Sequence, residues 1–457
     1  MSFRFFAFVR QRAGLIAGLA LMVFGFVDPA GAQGADTLTL SLGEAARMAA
    51  ENTLDVKAAA YRVDQRIARF DQARAGLYPR VSAEIGETAR TFNTASFGLS
   101  FPSVADQPPL FDPDGEVHGP VYLLDVRARL QADLINVARW RRIEEANTGI
   151  ETARSAAALV AEESAVRAAV VYVAAAEAVA LRRARETDRA NAEEGLHVAR
   201  RQLEAGVALA LDVTRAEVRL ATVNAQLVAA ANNERQTRLD LQRALGLPAE
   251  ATFAFRLTEN AMAALPADTV AGFDTALARR ADLAAARQHE TAINASIASI
   301  KAERYPSLRV VADEGLIGLR PAALLNTYDL GISLVVPVFD GFNVRHRIEE
   351  QQAALREAQT NREELQDAIR FALRKAQFTV ANAEDQLMAA QIRLNLAEQE
   401  IHQAQRQFET GIASNADLIA ASLGLGDART QLVAAQTNLE TAHLRLAVIQ
   451  GTLTDLP

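Results

Sequence analysis

Proline placement constrains this chain more than any other feature. There are 13 prolines, yet none lies between Pro120 and Pro248 and none between Pro337 and Pro457. A proline inside a helix removes a hydrogen bond and clashes with the preceding turn, so each gap is open to unbroken helix. Both gaps are rich in Ala, Leu, Gln, Glu and Arg, which lose little on entering a helix. The pattern predicts helix over 139–204, interrupted only by Gly149 and Gly195, and over 344–410, without Gly or Pro. At 1.5 Å per residue each would run roughly 100 Å. That length exceeds an ordinary globular helix and points to a coiled coil or a helical tube.

Two segments carry the opposite periodicity. Over 121–134, Tyr122, Leu124, Val126, Ala128, Leu130, Ala132 and Leu134 alternate with Asp125, Arg127, Arg129, Gln131 and Asp133. Over 327–338, Tyr328, Leu330, Ile332, Leu334, Val336 and Val338 form one face, with Asp329, Gly331 and Ser333 on the other. Weaker candidates are 80–92 and 307–315. Strands of about ten residues with one apolar and one charged face suit a transmembrane β-barrel, lipid outside and water inside. The competing reading is an amphipathic strand pair in a soluble sandwich, for which four strands with no further β-rich region are too few.

The chain also repeats itself. Asp55-Val56 matches Asp282-Leu283 and Tyr78-Pro79 matches Tyr305-Pro306, both at an offset of 227. Tyr122 matches Tyr328 at 206, and Ile143-Glu144-Glu145 matches Ile348-Glu349-Glu350 at 205. Residues 201–206 (RQLEAG) match 406–411 (RQFETG), and 226–230 (QLVAA) match 431–435. One unit is therefore used twice: helix, strand, loop, strand, very long helix, turn, helix. The fall in offset places 21 extra residues between the strands of the first unit, within 91–120, which holds five prolines. Barrel proteins carry long loops on the outer side, so this is the candidate external loop. Residues 112–116 (DPDGE) resemble a calcium loop only faintly and are read as a polar turn.

Each long helix ends in a Gly, Gly206 or Gly411, as left-handed helix stops do. An Asp follows six residues later, Asp212 and Asp417, at the start of the next helix. Ser414 and Asp417 have capping-box spacing, and an acid there suits the helix N-terminus. Where the second unit has Ser414 the first has Leu209, an apolar residue at the tip.

At the N-terminus, Arg4, Arg10 and Arg12 precede an apolar run over 13–27 and Ala30-Gly31-Ala32. This is the pattern of a secretory signal over 1–32, with the retained membrane helix as the alternative. The rest reads as a first repeat over 33–248, an inter-repeat segment over 249–275 and a second repeat over 276–457. Composition excludes several functions. There is no Cys, which removes disulfides, thiolate metal sites and thiol catalysis, and no two of the six His are spaced as a helical metal pair. A formal net charge of −8 is unlike the basic footprint of a nucleic-acid binder. No cofactor, metal or catalytic constellation is expected, and Gly424-Leu425-Gly426 lies in a helical pattern, unlike a phosphate loop.

The ordered landmarks, taken together, resemble the TolC family of outer-membrane efflux channels over the whole mature chain. The resemblance rests on Tyr78-Pro79 and Tyr305-Pro306, on 337–340 (PVFD), on the turns at 201–206 and 406–411, on 245–248 (LGLP) and 451–453 (GTL), and on 41–44 (SLGE). It implies a mainly α chain with transmembrane β. Three copies would form a twelve-stranded β-barrel continued by a long periplasmic α-helical barrel. It implies a homotrimer in outer-membrane lipid that meets a periplasmic adaptor and an inner-membrane RND or ABC pump. Physical argument leads the same way: four strands leave two bare edges, which lipid does not tolerate, so copies must close the sheet. The helices expected over 43–78 and 212–246, end to end, would match one long helix.

On this resemblance Tyr122, Leu124, Val126, Leu130, Tyr328, Leu330, Ile332 and Leu334 face lipid. Gly206, Val207, Leu209, Gly411, Ile412 and Ser414 form adaptor-docking turns, and Asp417, Asp212 and Phe408 are gate or selectivity candidates. Family channels often carry Tyr and Arg at the closed tip where this chain has Phe408 and Ala413, and a second acid where it has Ala420. Its closing network must differ. The expected function is a passive exit duct for efflux or type I secretion. The alternative is a soluble periplasmic coiled-coil adaptor or scaffold, which would have no use for a lipid-facing strand row. An enzyme is the third reading, and no constellation supports it.

Overall fold

The computed structural model describes residues 38–93, 115–206, 209–250, 253–255, 269–410 and 412–456. The expected signal sequence, most of the external loop, Val207 and Gly411 lie outside these residues. So does much of the inter-repeat segment. Of the paired strands β1 (Leu38–Leu40) and β4 (Phe253–Phe255), Leu38, Thr39, Phe253 and Ala254 belong to a small unit, and Leu40 and Phe255 to a large one. The large unit carries the remaining elements: α1 (Leu42–Asn52), α2 (Leu54–Ala75), β2 (Arg80–Asn93), β3 (Val117–Asn136), α3 (Val137–Glu204), α4 (Ala210–Ala244), α5 (Thr269–Arg279), α6 (Ala281–Ala302), β5 (Ser307–Gly318), β6 (Leu325–Val335), α7 (Asn343–Glu409) and α8 (Asn415–Gln450).

The two predicted long helices are present as α3, of 68 residues, and α7, of 67. They start where sequence chemistry permits: the Asn136 side chain accepts from the Arg139 N–H at 3.0 Å, and Asp340 accepts from the Val344 N–H at 2.8 Å. Much of the α3 interior is alanine, including Ala165, Ala168, Ala169, Ala175 and Ala178, all fully or nearly fully buried. Small side chains let neighbouring backbones approach, and Tyr172 closes the layer by donating to the Leu40 carbonyl at 2.9 Å. By length and composition α3 contains one stretch apolar enough to cross a membrane, but more than half of it is buried against other helices.

The single helices expected over 43–78 and at the start of the second repeat are each broken in two. Thr53 (ψ 150°) separates α1 from α2, and Arg280 (ψ 127°) separates α5 from α6. These breaks are themselves repeats, 227 residues apart. Each has a glycine against it. Gly246 (φ +70°) and Gly451 (φ +68°) end the return helix of the same repeat in the left-handed region. A Cβ on Gly246 would lie 3.1 Å from the Asn52 carbonyl, and one on Gly451 would lie 3.3 Å from the Arg280 nitrogen. The chain thus opens its helix where another backbone must pass close by. α5 stands at the same 227 offset from α1, and residue 275 lies within it.

The strands form one antiparallel sheet in the order β2-β3-β5-β6. β3 is longer than the 121–134 expected. β6 stops at Val335, short of 338, because Pro337 has no N–H for the ladder. Cross-strand partners share a face, so the register tests the alternation directly. Val126 sits opposite Ile85 and Leu316, Leu130 opposite Val81 and Ala312, and Ile332 opposite Val310. This apolar face runs across all four strands and is interrupted by Glu87, Glu314 and Asn326, the last donating to Glu314 at 3.4 Å. The other face is charged and cross-linked. Arg129 pairs with Glu84 at 2.8 Å, Arg309 with Asp133 at 3.2 Å, and Arg127 with Asp125 and Asp313. A slip of one residue would exchange the faces and break every pair.

Candidate functional site

The two tip turns, 205–209 and 410–414, join α3 to α4 and α7 to α8. α3 ends on Gly206 (φ +74°), whose N–H donates to the Leu203 carbonyl at 3.0 Å. In the second turn the Ile412 and Ala413 N–H groups donate to the Gln407 carbonyl at 2.8 and 3.1 Å. The capping box forms as its spacing predicts. Asp417 accepts from the Ser414 N–H at 2.9 Å and from its hydroxyl at 2.7 Å, while Ser414 Oγ accepts from the Asp417 N–H at 3.3 Å. These bonds hold the exposed Asp417 carboxyl below the usual carboxylate range. In the first turn only half of this exists: Asp212 accepts from the Leu209 N–H at 3.1 Å, and Leu209 offers no oxygen in return. Leu209 and Ile412 are 69% and 79% exposed, an apolar residue on each tip.

Phe408, a gate candidate on sequence grounds, is buried. It is 5% exposed and packs with Ile401, Leu418 and Leu425 between α7 and α8. Its side chain belongs to the core of the tip.

Three residues that the sequence did not single out tie the two turns together. Asn415, 3% exposed, donates through Nδ2 to the Asp212 carbonyl at 2.6 Å. Gln202 donates to the Phe408 carbonyl at 3.1 Å, and Arg219 of α4 donates to the Ser422 carbonyl of α8 at 3.3 Å. Further along, the buried Asp188 of α3 pairs with Arg185 and with Arg429 of α8, both at 3.1 Å. Gly426 leaves room for this cluster, since a Cβ there would meet Asp188 Oδ2 at 3.3 Å. A signal was available. At the 205 offset, Asn415 corresponds to Ala210, Arg219 to Gly424 and Asp188 to Arg393. These are positions where the otherwise matching repeats differ in chemistry.

This arrangement is a pair of capped turns, crossed by hydrogen bonds, at the end of helices that continue from an amphipathic sheet. The family model described as outer membrane efflux protein matches residues 45–247 and 273–452. The chain belongs to the outer membrane efflux protein family. It is 25% identical over 280 residues to the outer membrane efflux protein BepC of Brucella suis, covering 58% of this chain and 60% of BepC. It is 26% identical over 276 residues to the alkaline protease secretion protein AprF of Pseudomonas aeruginosa, covering 57% and 55% respectively. The match therefore spans somewhat over half the length of these curated relatives. Among solved structures, the Campylobacter jejuni CmeC outer membrane channel superposes with a TM-score of 0.70 at 14% identity, covering 90% of this chain and 85% of that one. That likeness establishes the fold of this efflux-family protein.

Proposed function

We propose that this efflux-family protein is the outer-membrane exit duct of a tripartite efflux or type I secretion system. The observation that carries the reading is the sheet, whose apolar face leads directly into helices of 68 and 67 residues. Tyr122, Tyr328, Leu330, Ile332 and Leu334 are all exposed on that face. An apolar surface of this extent needs a cover, and lipid is the cover that suits a strand row. A soluble adaptor or scaffold would leave it in water.

The oligomer follows from the same sheet. β2 and β6 each have one edge without a strand partner among the described residues. Copies of the chain satisfy those edges, and three copies give a twelve-stranded barrel wide enough for a water-filled channel. Exposed apolar seams on two helices support packing between copies: Leu211, Val218, Val228 and Leu239 on α4, and Phe371, Phe378, Met388, Ile392 and Leu396 on α7. The duct performs no chemistry. Its charged strand face lines the water, its tip turns close the periplasmic end, and the inner-membrane pump selects the cargo. Leu209, Ile412, Ser414 and the neighbouring Gly206, Val207 and Gly411 present the docking surface for the adaptor. Asp417 places three carboxylates around the trimer axis, with Asp212 on the adjoining turn. BepC and AprF bear the names of efflux and secretion proteins, and both cargo classes suit a passive tube.

Fractionation tests the reading. The protein should be found in the outer membrane as a detergent-resistant trimer that dissociates on heating. Recovery as free periplasmic monomer would reject it.

A further inference from the structure

The helix break in the second repeat makes a contact that the break in the first lacks. At the start of α6 the Ala281 N–H, which has no partner within its own helix, donates to Glu162 of α3 at 3.2 Å. The equivalent helix, α2, starts at Leu54 after Thr53. The Thr53 side chain makes no cap, and nothing among the described residues accepts from the Leu54 N–H. An acid at a helix start takes a spare N–H and answers the helix dipole. Glu162 also has a counterpart. At the 205 offset it is Asp367 of α7, whose side chain is 65% exposed and pairs with Arg370 of its own helix at 2.9 Å.

Leu54 and Asp367 stand on opposite margins of the protomer. The helices lie side by side in the order α2, α3, α6, α7, as the strands do in the order β2, β3, β5, β6. α2 runs into β2, and β6 runs into α7. Closing the sheet by setting β6 of one copy beside β2 of the next therefore brings α7 beside α2. We propose that this joint between copies repeats the α3–α6 joint within one copy, with Asp367 of one chain accepting from the Leu54 N–H of the next. The partner is a second copy of this chain, a contact that rests on the trimeric reading above. Exposure agrees with it. Ala281 is half-buried, whereas Leu54 is 80% exposed; Val173 of α3 is buried, whereas its counterpart Phe378 of α7 is 69% exposed. The bare faces are those whose equivalents inside the protomer are covered. Charge agrees as well. One turn toward the sheet from each partner, on antiparallel helices, Glu364 comes level with Lys57. Both are exposed, and neither has an ion pair among the described residues. Their counterparts in the inner joint, Leu159 and Ala284, are uncharged.

The chain has no Cys, so introduced thiols report alone. Leu54→Cys and Asp367→Cys are combined in the full-length protein, and outer-membrane extracts are treated with a short bifunctional methanethiosulfonate. After boiling, the double variant should run as covalent trimer on a non-reducing gel and return to monomer with reductant. Each single variant should stay monomeric. The two single variants coexpressed should stop at dimer, because each interface joins unlike faces. Asp367→Ala should lower the temperature at which the unheated trimer dissociates, and Asp367→Glu, which supplies the acid found at 162, should restore it. A trimer on unheated gels that the double variant does not cross-link would overturn the proposal and leave the trimeric duct standing. Covalent dimer from either single variant would overturn it by bringing like faces together, as would equal dissociation temperatures for Asp367→Ala and the native protein. Absence of any trimer in the native protein would reject the duct reading, and this joint with it.

Discussion

Ile332→Arg tests the proposed lipid face of the sheet. Ile332 lies on β6 opposite Val310, with Leu330 and Leu334 on either side, so no acid is placed to neutralise an incoming guanidinium. Leu330 is the middle residue of the eleven-residue strand. With Leu330 at mid-depth, Ile332 is two residues away, about 6.6 Å along the strand, or roughly 5 Å in depth at a 45° tilt. The apolar band is about 25 Å tall, so the site is within the inner half of the leaflet, where an arginine costs about 2 kcal/mol or somewhat more per copy. In the proposed trimer three copies would raise the assembled barrel by about 6 kcal/mol, as much as the whole stability of many domains. Leu124→Arg should be milder, because Glu87 lies directly opposite and can pair with it. Ser333→Leu is the control: it lies opposite Arg309 on the charged face, and its effect should stay within about 0.5 kcal/mol. The assay is the fraction of unheated trimer in outer-membrane extracts by gel. The expected order of assembly is Ser333→Leu, then Leu124→Arg, then Ile332→Arg. Equal assembly of Ile332→Arg and Ser333→Leu would refute the assignment of the faces.

The tip and the helical belt give three more expectations. Asp417→Asn keeps the helix cap but would remove three charges from the axis of the proposed trimer, and should lower cation selectivity and relieve trivalent-cation block in planar bilayers. Because Asp417 titrates below the usual carboxylate range, native block and the cap's contribution should persist as acid is added and be lost only as pH falls through that lowered value. Asn415→Ala removes the buried donor to the Asp212 carbonyl, about 1 kcal/mol per protomer, and should raise the open-to-closed ratio about fivefold for each protomer, roughly 150-fold in single-channel records where the three protomers of the proposed trimer open together. Glu162 accepts from the Ala281 N–H at 3.2 Å, and burial holds its pKa above the ordinary value. Its charge therefore costs stability as pH rises through the raised value, so Glu162→Gln should melt above the native protein near pH 8 and together with it near pH 4.

The long helices and the strand faces were legible because each rests on a period that a single residue type enforces. Missing prolines permit α3 and α7, and strict alternation fixes the sheet. The Ser414–Asp417 cap was legible because its two halves are three residues apart. The breaks at Thr53 and Arg280 were not, since neither residue is a helix breaker. At each break Gly246 or Gly451, roughly 170 to 190 residues later, packs close by, and no local pattern carries that contact. The burial of Phe408 was missed for a related reason. Its place depends on which face of α7 meets α8, which an Ala-rich, weakly patterned helix leaves open.

The difference between the repeats carries the remaining information. If the two hairpins were identical, every contact between them would have a matching one at the 205 offset. The links observed are one-sided. Asn415 reaches Asp212, but Ala210 has no side chain to return the contact. Arg219 reaches Ser422, while its counterpart Gly424 reaches nothing, and Asp188 holds Arg429 where the equivalent positions are Arg393 and Asn224. The two hairpins therefore contribute differently in one protomer: the first supplies the buried charges Asp188 and Arg219 and the Asp212 carbonyl, and the second supplies Asn415, Arg429 and the Ser422 carbonyl. Such a joint can loosen on one side without the other losing its own packing, because Phe408, Leu418 and Leu425 stay within the second hairpin's core. Duplication supplied the scaffold of this tip, and divergence at a few positions made it a joint between unequal parts.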